Sequence, residues 1–501
     1  MPTDTVPADT VPTNTVPTDT AAASPETRAR NRDGRFQLDG FRYVDGQLFV
    51  EDVAVEAIAD AVGTPVYLYS QAAITRAFER MRQAFALLRA RLHYAVKSSP
   101  NLHLCRLVRE LGGRMDVVSI GELERAWLAG VPMADIVFAG VAKTEDEVLA
   151  ALDGRYSPMA GRAEAFGRGD LEGRGPVGLF NVESAAELER IARLAERIGV
   201  PAKACLRVNP DVDAKTHEYT TTGLEENKFG IYADQIPELF DAYRGHPAIQ
   251  LVGLQVHIGS PVREVQPYVE TVKVLVGLLE RLEAAGHQPS VLDLGGGWGV
   301  DYRERESSTP EDYAAQIVPL LVERANAGLE ILLEPGRSIV GNAGVMIARV
   351  QYLKQGRQKR FVICDAGMHT LIRPALYRAF HFLWPVRPPA QHLDPARVER
   401  PDLPGLVECD VVGPICETGD FLARSRPLPE MAQGDLLAVF SAGAYGVSMA
   451  SNYNDHGRPA EVLVNGAEAR VIAERQQLAD LLETERKPRV LELAAVDAGS
   501  A

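Results

Sequence analysis

A chain of 501 residues is too long for one small core and long enough for two domains, one of them a large α/β barrel. Its 46% hydrophobic and 24% charged residues are ordinary for a soluble globular protein, and no apolar run approaches the ~20 residues a membrane-spanning helix needs. The formal charge of −15 comes from acidic and basic residues interspersed along the chain, which argues against a nucleic-acid partner and reads as solubility.

Residues 1–33 open on a repeated Thr-Val-Pro theme, poor in aromatics. Such a segment buries too little apolar surface to offset its ordering entropy, so we expect it to be disordered. It has neither the basic start nor the apolar core of a signal peptide. The cysteines, Cys105, Cys205, Cys364, Cys409 and Cys416, are odd in number with no Cys-x-x-Cys pair, which points to reduced thiols in a cytoplasm.

Residues 34–68 contain a hairpin pattern around Asp45-Gly46 and are expected to join a β domain. From residue 69 to 340 short β-branched runs alternate with helical stretches, the pattern of a parallel sheet wrapped by helices. Candidate strands fall at 92–97, 115–119, 136–139, 178–182, 202–208, 251–258, 291–294 and 329–334, which predicts a closed (β/α)8 TIM-like barrel. In the intervening helix after Ser184, Leu188, Ile191 and Leu194 fall on one face and are core. The mouth at the strands' C-terminal ends is where an active site would form, and Lys97, Ser119, Asn209, His257, Gly295–Gly297 and Arg337 lie there. From 341 to 490 strand runs with Gly/Pro turns predict an all-β domain, a sandwich or barrel, followed by a loose tail at 491–501.

Chemistry-bearing residues recur at the predicted strand ends. Lys97 closes an apolar strand, where burial would lower its ammonium pKa and free a nucleophilic amine. Asp116, Ser119 and Glu122 read as structural, Ser119-x-x-Glu122 being a helix cap. His257 is either a core histidine or a ring that stacks on a cofactor, with Ser260 donating to a phosphate. Gly295, Gly296 and Gly297 form either an anion loop or a tight turn. In Glu334-Pro-Gly336-Arg337, the acid can face a pyridine nitrogen while the arginine binds phosphate or carboxylate, or the two can form a plain salt bridge. Arg373 and Tyr377 suit a second substrate carboxylate or an interface. Cys416 can donate a proton and Glu417 can hold an ammonium, although most lone cysteines are inert core residues; Tyr445 either caps a phosphate or packs in a turn.

Together and in this order, with Lys228-Phe-Gly and the run Ala-Tyr-Gly-Val-Ser-Met-Ala-Ser-Asn-Tyr-Asn from residue 444, these segments closely resemble the fold-type III pyridoxal-phosphate decarboxylases, within them the diaminopimelate decarboxylase branch. The resemblance covers about residues 41–490. It implies an alanine-racemase-type barrel plus β domain, a homodimer, and a site that Cys416 and Glu417 reach from the second subunit. It further implies that Lys97 carries the cofactor as a Schiff base, His257 stacks on its ring, Ser260 and Gly295–Gly297 hold the phosphate, and Glu334 pairs with the ring nitrogen. Arg337, Arg373 and Tyr377 would grip the distal carboxylate, Glu417 the distal ammonium, Tyr445 cofactor or substrate, and Cys416 would protonate the α-carbon. The implied reaction is decarboxylation of meso-2,6-diaminopimelate to L-lysine. Glu417 stands where decarboxylases of plain diamines place Asp, which favours that substrate over ornithine, arginine or carboxynorspermidine. A non-catalytic homologue that binds pyridoxal phosphate would have lost the lysine or the cysteine, and both are present. Departures from the pattern are Pro261, Trp298, His369 and an insertion at about 155–175.

Overall fold

The computed structural model describes residues 40–166, 174–213, 228–393 and 395–489. The segments expected to be disordered, 1–33 and 491–501, lie outside the described residues.

Parallel strands close into a barrel: β1 (Arg91–Ala95), β2 (Arg114–Val117), β3 (Ile136–Phe138), β4 (Leu179–Val182), β5 (Ala202–Asn209), β6 (Ile249–Gln255), β7 (Val291–Asp293) and β8 (Glu330–Leu333). Each pairs with the next, and the register Leu332↔Arg91 joins β8 to β1. Every expected strand is present, most of them ending one to three residues short of the sequence reading, because those last residues leave the ladder to build the mouth. Lys97 is one such residue, carried on the 3-10 turn Val96–Ser98 after β1.

The helices between strands start where their caps stand. Ser184 accepts from Glu187 N–H at the head of Ala185–Ile198, whose Leu188, Ile191 and Leu194 are buried against the barrel. Ser119 does the same for Glu122 N–H at 3.3 Å, ahead of Ile120–Leu128. Inside the barrel, Val137, Leu179, Cys205, Val252 and Leu332 form a separate apolar cluster that floors the mouth.

The second sheet is mostly antiparallel and runs in the order Phe421–Leu428, Val407–Val412, Arg360–Cys364, Gly344–Gln355, Val66–Ser70, Ala460–Asn465, Glu468–Ala473. Val66–Ser70 feeds the barrel and Gly344–Gln355 leaves it, and the two pair antiparallel, so one ladder ties both ends of the barrel together. The hairpin Phe41–Val44 with Gln47–Val50 turns at Asp45-Gly46, both at positive φ, and docks on this sheet through Leu48 N–H to the Val386 carbonyl at 2.8 Å. The described ends of the 155–175 insertion are pinned to barrel helices: buried Glu124 accepts from Arg174 Nη1 and Ser157 Oγ, both at 2.8 Å. Among the described residues no helix is long and apolar enough to cross a membrane.

Candidate active site

Polar side chains enter the mouth by the two-residue period of the strands. Leu179 and Leu332 face the lumen in the apolar floor, so Asn181 and Glu334, two residues on, face it one layer nearer the mouth. Asn181 Nδ2 lies 3.0 Å from both Asp293 Oδ2 and Glu334 Oε1, and Gln255 Nε2 donates to Glu334 Oε2 at 3.2 Å. Sequence reasoning missed Asn181, Gln255 and Asp293, although strand parity would have found them.

Lys97 Nζ donates to Asp116 Oδ2 at 2.5 Å. Asp116 was read as structural, and the mouth instead makes it the lysine's counter-ion. The expected fall in the lysine's pKa is also corrected: burial works against the charge, but Asp116, Glu334 and Tyr445 outweigh it and hold the ammonium above its ordinary value. Burial, then repulsion from Asp116 and Asp293, pushes the Glu334 carboxyl well above the usual range. Burial likewise pushes Glu122, whose Oε2 accepts from Val118 N–H at 2.9 Å, up to about 7. Asp116 Oδ1, Asn181 Oδ1 and Gln255 Oε1 are buried acceptors with no hydrogen-bond partner among the described residues.

Beside this acidic floor lies the glycine loop. A Cβ on Gly296 would stand 2.0 Å from the Glu334 carbonyl, and one on Gly297 2.0 Å from the Gly259 carbonyl, so backbone closeness and not turn geometry alone demands glycine. Gly296 N–H donates to His257 Nδ1 at 3.3 Å, which leaves the proton on Nε2. Burial first, then Arg207 and Lys97, keep the His257 pKa well below its ordinary value, so the ring is neutral. Tyr268 Oη donates to the Gly296 carbonyl, and Trp298 stacks on Tyr268 and Phe85 behind the loop. The large residue at 298 thus buttresses the loop. Gly336 fits where a Cβ would press Ala95 and Ser98.

Arg337 and Glu334 do not form the alternative salt bridge. Arg337 Nε donates to Ser260 Oγ at 3.1 Å and its Nη1 to Tyr302 Oη at 2.6 Å. Its guanidinium stands 4.6 Å from the ring of Tyr445, a residue held at positive φ by its N–H bond to the Ser98 carbonyl. Arg373, at the start of the short helix Arg373–Tyr377, is buried, stands 5.3 Å from the Tyr302 ring and 5.8 Å from that of Tyr377, and donates through Nε to His381 Nε2 at 3.4 Å. Neither arginine has a carboxylate partner among the described residues. Tyr302 and His381 were not singled out from the sequence, and only the folded chain brings them here. The structure therefore gathers Lys97, His257, Ser260, Gly295–Gly297, Glu334, Gly336, Arg337, Arg373, Tyr377 and Tyr445 around one mouth and its rim.

Cys416 and Glu417 stand apart. Both are exposed, on the loop after Val407–Val412. Cys416 N–H reaches Asn454 Oδ1 at 3.4 Å, and Glu417 Oε1 accepts from Tyr453. Asp420 anchors the loop, its Oδ1 and Oδ2 accepting from Met368 N–H and Ile415 N–H at 2.6 Å each. His369, beside it, is buried under His456 at 4.6 Å, and burial with that neighbour takes its pKa down to about 4. Among the described residues no hydrogen bond joins Cys416 or Glu417 to the mouth.

The family model for the pyridoxal binding domain of pyridoxal-dependent decarboxylases matches residues 71–341. The chain is 43% identical to the diaminopimelate decarboxylase of Pseudomonas aeruginosa over 446 residues, 89% of this chain and 98% of that one. It is 41% identical to the Aquifex aeolicus enzyme of the same name over 88% of this chain and 96% of that one. Among solved structures, the Helicobacter pylori diaminopimelate decarboxylase complexed with L-lysine matches with a TM-score of 0.75 at 35% identity, covering 86% of this chain and 98% of that one.

Proposed function

The chain belongs to the diaminopimelate decarboxylases, among the pyridoxal-dependent decarboxylases, and on that premise we propose the residue roles by which it converts meso-2,6-diaminopimelate to L-lysine and carbon dioxide. The cofactor is pyridoxal 5'-phosphate, and the mouth fits it. A buried acid in no ion pair among the described residues, orphaned acceptors on Asp116, Asn181 and Gln255, a neutral histidine ring and a glycine loop that tolerates no Cβ are what a charged aromatic phosphate would satisfy.

Lys97 would hold the cofactor's aldehyde, with Asp116 steering its Nζ. His257 would cover the ring face and Glu334 would meet the ring nitrogen. Ser260, Gly295, Gly296, Gly297, Gly336 and Tyr445 would hold the phosphate. When bound, the cofactor supplies an electron-withdrawing ring that takes up the electron pair left as carbon dioxide departs. Arg337, Arg373 and Tyr377 bind the substrate's distal carboxylate, the arginines by forked donors, and so orient the reacting centre. Glu417 meets the distal ammonium, and Cys416 holds a proton at Sγ for delivery to the α-carbon.

The observation that carries the substrate assignment is the pair of buried arginines with no carboxylate partner among the described residues. A plain diamine would leave both charges buried and unanswered. Because Cys416 and Glu417 face solvent in the single chain, they support a homodimer in which each serves the mouth of the second copy. We take 69–340 as the cofactor-binding barrel, 34–68 with 341–490 as the β domain, and unpaired thiols as the mark of a cytoplasmic enzyme. The test is carbon dioxide release from meso-diaminopimelate, ornithine, lysine and arginine in parallel. Release from meso-diaminopimelate alone is expected, and release only from a substrate with one carboxylate would reassign the specificity.

A further inference from the structure

Tyr302 and His381 grip the two arginines of the mouth without neutralising them. Tyr302 is 3% exposed, and its oxygen accepts from Arg337 Nη1 at 2.6 Å. Its ring serves both cations, 5.9 Å from the Arg337 guanidinium and 5.3 Å from that of Arg373. His381 is fully buried and meets the same ring edge-on, with centroids 5.3 Å apart.

The tautomer of His381 follows from its neighbours. Nδ1 lies 3.0 Å from the Phe440 carbonyl, which can only accept, so the proton sits on Nδ1. Nε2 is then free to accept from Arg373 Nε. The groups facing this imidazole are Arg373, Arg337, Arg426, Tyr302 and the Phe440 carbonyl. Burial first, then the arginines, take its pKa down to about 3, so it accepts as a neutral ring at any working pH.

A long cationic side chain is usually steered by a carboxylate, which orients it and cancels its charge together. Here a phenol and an imidazole do the orienting and leave the charge in place. Both Nη groups of Arg373 and Nη2 of Arg337 make no hydrogen bond among the described residues. They are a preorganised double fork with its positive charge intact.

We propose that Tyr302 and His381 are positioning residues that set the preference for a ligand with a carboxylate remote from the reacting carbon, by orienting Arg337 and Arg373 through a tyrosine oxygen and an imidazole nitrogen in place of carboxylates. The inference rests on the diaminopimelate reading and deepens it. L-lysine and cadaverine differ by that carboxylate alone, so they separate the proposed role from a general structural one.

The experiment titrates both ligands into the holoenzyme and measures KM and kcat for meso-diaminopimelate alongside. Tyr302→Phe keeps the ring and loses the acceptor; it is expected to weaken L-lysine about tenfold and cadaverine less than about twofold, with KM rising more than kcat falls. His381→Asn, which keeps the bond to Phe440 but loses the acceptor for Arg373, is expected to weaken L-lysine about threefold, and His381→Gln, whose amide oxygen reaches the Nε2 position, to restore most of it. Should Tyr302→Phe fail to fold, the His381 pair decides. Equal loss for both ligands, or no loss for L-lysine, in an active enzyme overturns this inference alone. Wild-type holoenzyme that releases no carbon dioxide from meso-diaminopimelate overturns the functional reading and this inference with it.

Discussion

The barrel mouth and the 413–420 loop, to which we assign the two halves of one chemistry, are built in opposite ways. In the mouth Lys97, Glu334 and Arg337 are tied to residues from many strands, and their charges are set by burial and by one another. On the loop Cys416 and Glu417 are exposed, held through the backbone and through Tyr453, and unconnected to any such network among the described residues. A buried network is complete in one chain. The exposed thiol and acid on a braced loop fit the shared site we propose, in which another chain brings the facing surface.

The sharpest break is at Lys97. Lys97→Ala should lower turnover by at least about a thousandfold and abolish the visible absorbance of lysine-bound cofactor, since among the described residues no other amine stands at Asp116. Cys416→Ala should keep that absorbance and slow turnover by about a hundredfold or more, a proton-delivery defect read by single-turnover kinetics. Mixing the two inactive variants sharpens the contrast: with shared sites and random reassortment, about a quarter of wild-type activity should return, whereas none returns if each chain's loop serves its own mouth.

Smaller effects test how each region is held. Asp420→Ala removes the acceptor of two short backbone bonds, Met368 N–H and Ile415 N–H. About 2 kcal/mol of stability should go, with turnover falling about tenfold and cofactor affinity unchanged, as equilibrium unfolding and absorbance titration would read. In the mouth, Glu122 is pushed up to about 7 by burial, above its unfolded value, so the native state holds its proton longer. Stability from this group is therefore lost as pH rises from the unfolded pKa through about 7. Glu122→Gln should gain on wild type across that window, by at most about 3 kcal/mol, in cofactor-free protein. The buried histidines, which shift stability the opposite way, cancel in the difference. A gap that does not widen between pH 5 and 8 would refute the burial of that carboxyl.

Legibility in the sequence divides along the same lines. The eight strands, the cap at Ser119 and the glycine loop were readable because period, cap and close approach are written in adjacent residues. Asp116 was misread as structural, because nothing near it in sequence says that Lys97 Nζ, 19 residues away, will meet its carboxylate. The lysine's pKa was misjudged for the same reason, since burial was foreseeable and three acidic neighbours were not. Asn181 and Gln255 were readable in principle from strand parity, Tyr302 and His381 only by proximity.

By itself the sequence determined the barrel, the second sheet and the ordered set of chemical segments, because alternation, capping and turn residues act over a few positions. The tertiary structure alone decided which charges answer one another. Asn181 meets Glu334 across 153 residues, Arg337 meets Ser260 across 77, and Cys416 stays in solvent, because such encounters depend on closure and register of the whole barrel, which no local stretch contains.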